Sequence, residues 1–140
     1  MRDIKFRCWY NNQMHKVQDI SFRYKTINLF GADIIKFEDG ILMQYTGLKD
    51  KNGVEIYEGD IVKNNWTSFE GKELSTIWEV IFGEYDNSAL EYGSGGNIGF
   101  FAYSLKNGDE EGLNNLPCNT NDGIEVIGNI YEDLKESGEQ

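Results

Sequence analysis

Closely spaced turn signals limit what this chain can fold into more than any other feature of its sequence. Three turn pairs interrupt the short apolar runs between positions 43 and 62: Thr46-Gly47, Asn52-Gly53 and Gly59-Asp60. Glycine, asparagine and aspartate accept the backbone angles of tight turns, and turns at this spacing leave no room for a long helix. The segment is therefore predicted to be compact β structure. Its structural turn residues are predicted to be Gly47, Asp50, Gly53, Gly59 and Asp60.

Short strands separated by turn signals are predicted along the rest of the chain as well. Apolar and polar residues alternate over residues 4–10 and 20–24, which is the pattern of a strand with one buried face. Glu38-Asp39-Gly40 predicts a hairpin between the strands on either side of it, and the polar segment 64–74 is predicted to be a loop. Apolar residues do not recur at helical spacing over more than two turns. We therefore expect a mainly β fold with little helix.

The length of the chain is that of one domain or of two small subdomains. We predict a β-rich N-terminal subdomain over residues 1–47 and a second subdomain over residues 48–140. The second holds four or five short strands. A small, partly closed barrel suits these strands, because closure removes the exposed edges of a short open sheet.

The net charge of −11 is unevenly distributed along the chain. Residues 1–36 contain seven basic and three acidic side chains, and residues 37–140 contain six basic and 21 acidic ones. The first part therefore carries +4 and the second −15, a field that disfavours nucleic-acid phosphates except near the N-terminus. The asymmetry suggests that the N-terminal part contacts acidic neighbours, in its own fold or in another subunit. The alternative is that these charged side chains only keep the exposed faces of the strands in contact with water.

The residues needed for catalysis are scarce. His15 is the only histidine, so a metal site with two histidines is excluded, and a Cys–His pair would have to join it to Cys8 or Cys118. The two cysteines are far apart and are expected to be reduced thiols. No phosphate-binding loop motif is present. We therefore expect no enzymatic activity, no catalytic residue and no cofactor.

Acidic residues are abundant enough that a divalent-cation site has to be considered. Asp50, Glu55, Glu58 and Asp60 lie close together in sequence, and carboxylates are the ligands that Ca²⁺ and Mg²⁺ prefer. A simpler interpretation is that Asp50 and Asp60 accept backbone N–H groups in tight turns, and that Glu58 faces the solvent. We therefore predict a structural turn motif here and no metal site.

The aromatic residues are divided between a predicted core and a possible partner-binding surface. Core positions are predicted at Trp78, Phe82, Phe100 and Ile130. Trp66 and Phe69 lie in a polar stretch, where a contact with another molecule would explain them. On the strand 98–105, successive side chains point to opposite faces, so Phe101 and Tyr103 need cover if Phe100 faces the core. The possible partner-binding residues are Trp66, Phe69, Phe101 and Tyr103.

Three blocks of this sequence resemble the YopX family of phage and prophage proteins. They are Arg2-Asp3-Ile4-Lys5-Phe6-Arg7-Cys8-Trp9, the segment 43–62 described above, and Glu125-Val126-Ile127-Gly128-Asn129-Ile130-Tyr131-Glu132. They occur in the expected order and bracket almost the whole chain. The resemblance implies a β-rich N-terminal part followed by an SH3-like barrel. It carries no established activity and no binding residues to transfer.

Three functional hypotheses remain open at this point. The first is a non-enzymatic phage or prophage accessory protein that binds another protein or self-associates as a homo-oligomer. The second is a nucleic-acid-associated protein that uses the basic N-terminal residues Lys5, Arg7, Trp9, Arg23 and Lys25. The third is an acidic decoy that mimics DNA. Net charge favours the first and third. No apolar run approaches the ~20 residues needed to span a bilayer, so we expect a cytoplasmic protein without membrane contact.

Overall fold

The structure is a computed structural model, and it describes residues 3–86, 96–116 and 123–132. Its elements in this part of the chain are eleven strands and two 3₁₀ turns. The strands are β1 (Phe6–Tyr10), β2 (Gln13–Ser21), β3 (Thr26–Leu29), β4 (Ile34–Lys36), β5 (Ile41–Lys49), β6 (Glu55–Tyr57), β7 (Asp60–Thr67), β8 (Glu73–Tyr85), β9 (Asn97–Ser104), β10 (Glu110–Gly112) and β11 (Glu125–Asn129). The 3₁₀ turns are Phe37–Asp39 and Leu113–Asn115. All strand pairs are antiparallel, so the predicted mainly β class is confirmed.

The chain divides into two compact units, Met1–Gly47 and Leu48–Gln140. In the first unit the strand order is β4-β3-β2-β1-β5. The β1–β2 hairpin closes through Asn11 and Asn12, whose φ angles of 54° and 64° are those of the two-residue turn that matches strand twist. Side chains from β1, β3 and β4 form its core: Cys8, Ile27, Leu29 and Ile35, with Tyr10, Val17, Phe37 and Leu42 packed against them.

The predicted hairpin at Glu38-Asp39-Gly40 is wrong. β4 pairs with β3, and β5 pairs with β1, so the 3₁₀ turn connects strands on opposite sides of the sheet. Gly40 is extended, with φ −135° and ψ 165°. A Cβ atom there would lie 2.5 Å from Cys8 Sγ and 2.7 Å from Ile35 Cδ1. Glycine is therefore needed at this position for close packing over the core and not for a turn.

The strand predicted over residues 20–24 ends early. β2 stops at Ser21, and Phe22–Lys25 form a turn in which the Ser21 hydroxyl accepts the Tyr24 N–H at 3.1 Å. Lys25 has a φ of 56°, which a continuing strand does not allow. The alternating residues Phe22 and Tyr24 are consequently exposed rather than packed in a core.

The second unit is built on a five-stranded sheet with the order β10-β9-β8-β7-β11. One face of these strands, together with β6 and the second 3₁₀ turn, contributes to a single apolar core. That core contains Ile56, Val62, Trp78, Val80, Ala102, Leu113, Leu116, Ile124 and Val126. Side chains from both halves of the sheet meet in this one cluster.

Four further predictions need correction or fall outside the described residues. The segment 64–74 is not a loop, because β7 continues to Thr67 and β8 begins at Glu73. Phe82 and Ile130, which were predicted in the core, are exposed. Gly47, at the end of the first unit, has the expected positive φ of 88° but lies inside β5 rather than in a turn. Cys118 lies outside the described residues.

Candidate protein-binding surface

A two-stranded ribbon extends from the sheet of the second unit, and we define it as residues 64–77. β11 last pairs with β7 at Lys63, and β9 last pairs with β8 at Trp78. Beyond these rungs, β7 and β8 pair only with each other among the described strands, as far as Thr67 opposite Glu73. The outer part of the ribbon is exposed on both strands. Its conformation therefore depends on cross-strand pairing and not on a buried face.

Large apolar side chains are exposed on this ribbon. Trp66 is 45% exposed, Leu74 opposite it is also exposed, and Phe69 in the connecting turn is fully exposed. The Trp66 indole N–H donates to the Thr76 hydroxyl at 3.1 Å, which limits the orientations of the ring. Aromatic rings held in this way expose a large apolar area at a low cost in side-chain entropy, which is typical of protein-contact residues.

The tip of the ribbon, residues 68–72, is an ordered turn. The Ser68 N–H donates to the Lys72 carbonyl at 2.8 Å, and the Gly71 N–H donates to the Ser68 carbonyl at 3.0 Å. The Ser68 hydroxyl also accepts the Lys72 N–H at 3.2 Å, and Gly71 has the positive φ of 79° that such a turn requires. Phe69 is therefore presented by a hydrogen-bonded turn.

A groove of about 650 Å³ lies beside the base of the ribbon, where β9 ends and β8 continues. Its apolar lining comes from Trp66, Leu74, Ile77 and Leu105. Lys106 is the one charged residue among the described lining residues, and the others are small polar side chains: Ser75, Thr76, Ser104 and Asn107. The groove is thus suited to an apolar group with a negative charge next to it.

Two of the four residues predicted as a partner-binding surface lie on the ribbon, and the other two lie on β9. Trp66 and Phe69 are the exposed ribbon residues described above. Tyr103 is 36% exposed. Phe101 is only 4% exposed, because its ring stacks on Tyr85 with 5.0 Å between the ring centroids. Phe101 therefore cannot contribute to a surface, and the cover that its position required comes from the chain itself.

The acidic turn residues have structural partners in the second unit. Asp50 is 1% exposed; its Oδ1 atom accepts the N–H groups of Asn52 at 2.8 Å and Val54 at 2.9 Å, and its Oδ2 atom accepts that of Val126 at 2.9 Å. Asp60 is equally buried and accepts the Tyr57 N–H at 2.7 Å. Within the described residues, no three metal-ligating side chains lie close enough together to hold an ion.

Cys8 and His15, one of the two possible Cys–His pairs, are directly opposite each other on β1 and β2. Their surroundings do not favour nucleophilic chemistry. Burial raises the pKa of the Cys8 thiol, which reduces the reactive thiolate at neutral pH. His15 Nε2 lies 3.2 Å from the Tyr10 carbonyl oxygen. In the part of the chain that the structure describes, no helix is long and apolar enough to cross a membrane.

The basic residues proposed for nucleic-acid contact are at two different places in the first unit. Lys5 lies over the Tyr45 ring at 5.4 Å, and Arg7 donates to Met43 Sδ at 3.8 Å. Arg23 and Lys25 are in the exposed turn between β2 and β3, where the Arg23 guanidinium lies 5.3 Å from the centre of the Tyr24 ring. Trp9, on β1, is half-buried. The five residues therefore do not form one continuous basic strand.

Comparisons with known proteins identify a family but no activity. No curated protein matches the chain. A crystal structure of protein EF1440 from Enterococcus faecalis is similar: the sequence identity is 25%, the match covers 94% of this chain and 96% of that one, and the TM-score is 0.57. The family model described as YopX protein matches residues 5–135. This match spans most of the sequence, so the chain belongs to the YopX family.

Proposed function

We propose that this protein is a non-enzymatic accessory protein of a phage or prophage, and that it acts in the host cytoplasm by binding a protein through the ribbon. The observation that carries the proposal is the exposure of Trp66 and Phe69 on an ordered ribbon next to an apolar groove. Packing within the described ribbon does not explain why aromatic rings occupy these exposed positions. Burial of the fully exposed Phe69 ring against a partner would remove about 150–250 Å² of surface from water, and the exposed part of Trp66 would add to this, which is typical of an interface hot spot.

A comparative pull-down from host extract, with and without the phage or prophage, tests this proposal. The double variant Trp66→Ala with Phe69→Ala should lose proteins that the wild type captures. Phe30→Ala is the matched control, because Phe30 is an exposed aromatic residue of the first unit, away from the ribbon in sequence and in its own compact unit. Equal capture by the double variant and the wild type would refute a role for the ribbon.

A second candidate function is supported by the exposed turn between β2 and β3. Phe22 and Tyr24 are 78% and 69% exposed there, next to Arg23 and Lys25. Lys36 is close to this turn, because it pairs with Thr26 and the following N–H, of Phe37, donates to the Lys25 carbonyl at 3.0 Å. Exposed rings with cations beside them are the groups that bind single-stranded nucleic acid by stacking and phosphate contact.

A fluorescence anisotropy titration with duplex and single-stranded DNA separates this candidate from the first. We expect no sequence-specific binding, and any attraction in dilute buffer should vanish near 0.15 M salt, because few phosphates are neutralised and the acidic remainder repels the rest. Submicromolar binding at 0.15 M salt that is lost in the Arg7→Ala, Arg23→Ala double variant would make nucleic-acid binding the leading function. The acidic-decoy hypothesis predicts displacement of DNA from a host DNA-binding protein.

A further inference from the structure

We infer that the partner of the ribbon is a second copy of this chain, with the Phe69-Glu70 tip of each copy seated in the groove of the other. The inference rests on the proposed function, because it assigns an occupant to the same ribbon surface. Its basis is that one exposed element carries both halves of a contact, an apolar tip and an apolar groove. A surface with both halves is self-complementary under a two-fold rotation.

The chemistry of the tip matches that of the groove. Phe69 is fully exposed and Glu70, which follows it, is also exposed. The groove offers apolar walls from Trp66, Leu74, Ile77 and Leu105, with Lys106 as its charged lining residue. An aromatic ring followed by a carboxylate therefore meets apolar walls followed by an ammonium group. Such charge complementarity fixes the register of a contact and disfavours other occupants.

The tip of a copy does not fill the groove of the same copy, because the Phe69 side chain is fully exposed. The groove residues of β8 are two to five rungs of the ladder away from the turn at residues 68–72, and each rung advances the strand by ~3.3 Å. The separation is thus roughly 7–17 Å along an extended ribbon. An antiparallel second ribbon spans this separation, because its tip lies beside the base of the first ribbon and its base lies beside the tip.

Backbone groups on one edge of the ribbon support this arrangement. The Ile77 carbonyl accepts the Leu105 N–H at 3.1 Å, so Ile77 directs its backbone groups toward β9. Alternate residues of a strand face the same edge, so Ser75 and Glu73 direct theirs to this side as well, beyond the end of β9. Among the described residues, the edge is therefore open to an added antiparallel strand at the groove itself. Pairing centred on Leu74 would place the two Leu74 side chains opposite each other.

The contact is expected to be weak because it is small. Two phenylalanine rings bury about 300–500 Å² in total, and the ribbon edges add to this. Stable complexes generally bury about 1,200–2,000 Å². We therefore expect a monomer–dimer equilibrium with a dissociation constant in the range of about 10–500 μM, which depends on salt through the Glu70–Lys106 pairs.

Sedimentation velocity and equilibrium from 5 to about 500 μM protein at 0.05 and 0.15 M salt test the inference. Phe69→Ala should weaken the dimer at least about tenfold, the effect of losing a central interface aromatic residue. Lys106→Glu and Glu70→Lys should each weaken it, and their combination should recover most of the affinity because the pair is restored with reversed signs. Phe30→Ala should behave as the wild type. Far-UV circular dichroism verifies that each variant is folded.

A monomer at all concentrations and both salts, or a dimer that Phe69→Ala leaves intact, would overturn the inference. Failure of the charge reversal to restore affinity would overturn the assigned pairing of tip and groove. These outcomes are distinguishable from failure of the proposed function. If the protein is monomeric and the ribbon variants still lose a protein captured from host extract, the ribbon binds a different partner. If the ribbon variants change neither dimerisation nor capture, both proposals fail.

Discussion

Removal of the Asp50 carboxylate should destabilise the second unit more than any other single acidic substitution described here. Asp50 is almost fully buried and accepts three backbone N–H groups, two from its own turn and one from Val126 on β11. The bond to Val126 joins positions 76 residues apart in sequence. Asp50→Ala therefore affects both the local turn and the attachment of β11.

The size of the effect follows from the different surroundings of the three donors. Asn52 and Val54 are in an exposed turn, so water can replace the carboxylate there at a modest cost. The Val126 bond is buried, and an unsatisfied buried donor costs about 1–3 kcal/mol, while bonds to a charged acceptor contribute about 1.5–3 kcal/mol each. We expect a loss of about 3–5 kcal/mol, a large part of the 5–15 kcal/mol typical of a whole domain.

Urea unfolding followed by tryptophan fluorescence and circular dichroism measures this loss. Asp39→Ala is the control, because Asp39 is an exposed aspartate and should change the free energy of unfolding by less than about 0.5 kcal/mol. Asp60→Ala, which removes the bond from the Tyr57 N–H, should cost on the order of 1 kcal/mol or more. A folded Asp50→Ala protein that loses less than about 1 kcal/mol would refute the structural account. Loss of Ca²⁺ or Mg²⁺ binding without loss of stability would refute it equally.

Three other substitutions test particular contacts of the fold. Gly59→Val should disrupt folding at a cost of at least ~1 kcal/mol, because Gly59 is buried with a φ of 90°, where a β-branched residue is strained; an unchanged urea midpoint would contradict this. Gly40→Ala should cost about 1–3 kcal/mol, and adding Cys8→Ala should recover part of the loss by removing the sulfur that the new Cβ meets. If the losses of stability caused by Gly40→Ala and Cys8→Ala were strictly additive in the double variant, the contact between the new Cβ and the Cys8 sulfur would be excluded as the cause. Burial raises the pKa of Glu79, so folding favours its protonated form, and its contribution to stability is lost as the pH rises from the ordinary value of 4.5 through the raised value. Glu79→Gln should therefore stabilise the protein at pH 7 and remove this part of the pH dependence; identical pH profiles for variant and wild type would disprove the assignment.

Local backbone chemistry was the part of the fold that the sequence made predictable. Asn11-Asn12 forms the turn between β1 and β2 because asparagine tolerates positive φ, and few other residues do so at two successive positions. Asp50 accepts the N–H groups two and four residues further on, and Asp60 accepts that of Tyr57, three residues earlier, because a short acidic side chain reaches the amides of its own turn. These preferences act over a few residues and need no knowledge of the tertiary structure.

Strand partners and burial were less predictable, because they depend on residues far away in sequence. Asp39-Gly40 has the local signature of a hairpin, yet Gly40 is required by the positions of Cys8 and Ile35 across the sheet. Phe101 is buried only because Tyr85 stacks on it. The ribbon was missed because sequence periodicity reveals a strand by its single buried face, and a two-stranded segment exposed on both faces has no such face.

The same absence of a buried face explains why the ribbon is the best candidate for function in this molecule. A strand within a sheet carries aromatic residues to fill a core, so Trp78 in the core of the second unit needs no partner molecule. Trp66, on the same face of the neighbouring strand β7 but beyond the last rungs of β9 and β11, packs in no core cluster of the described residues. Polar residues at these positions would be compatible with the ribbon equally well, since the hydrogen bonds that join its two strands are formed by the backbone. Exposed aromatic residues at Trp66 and Phe69 increase the risk of aggregation. They are best explained by a molecule that covers them.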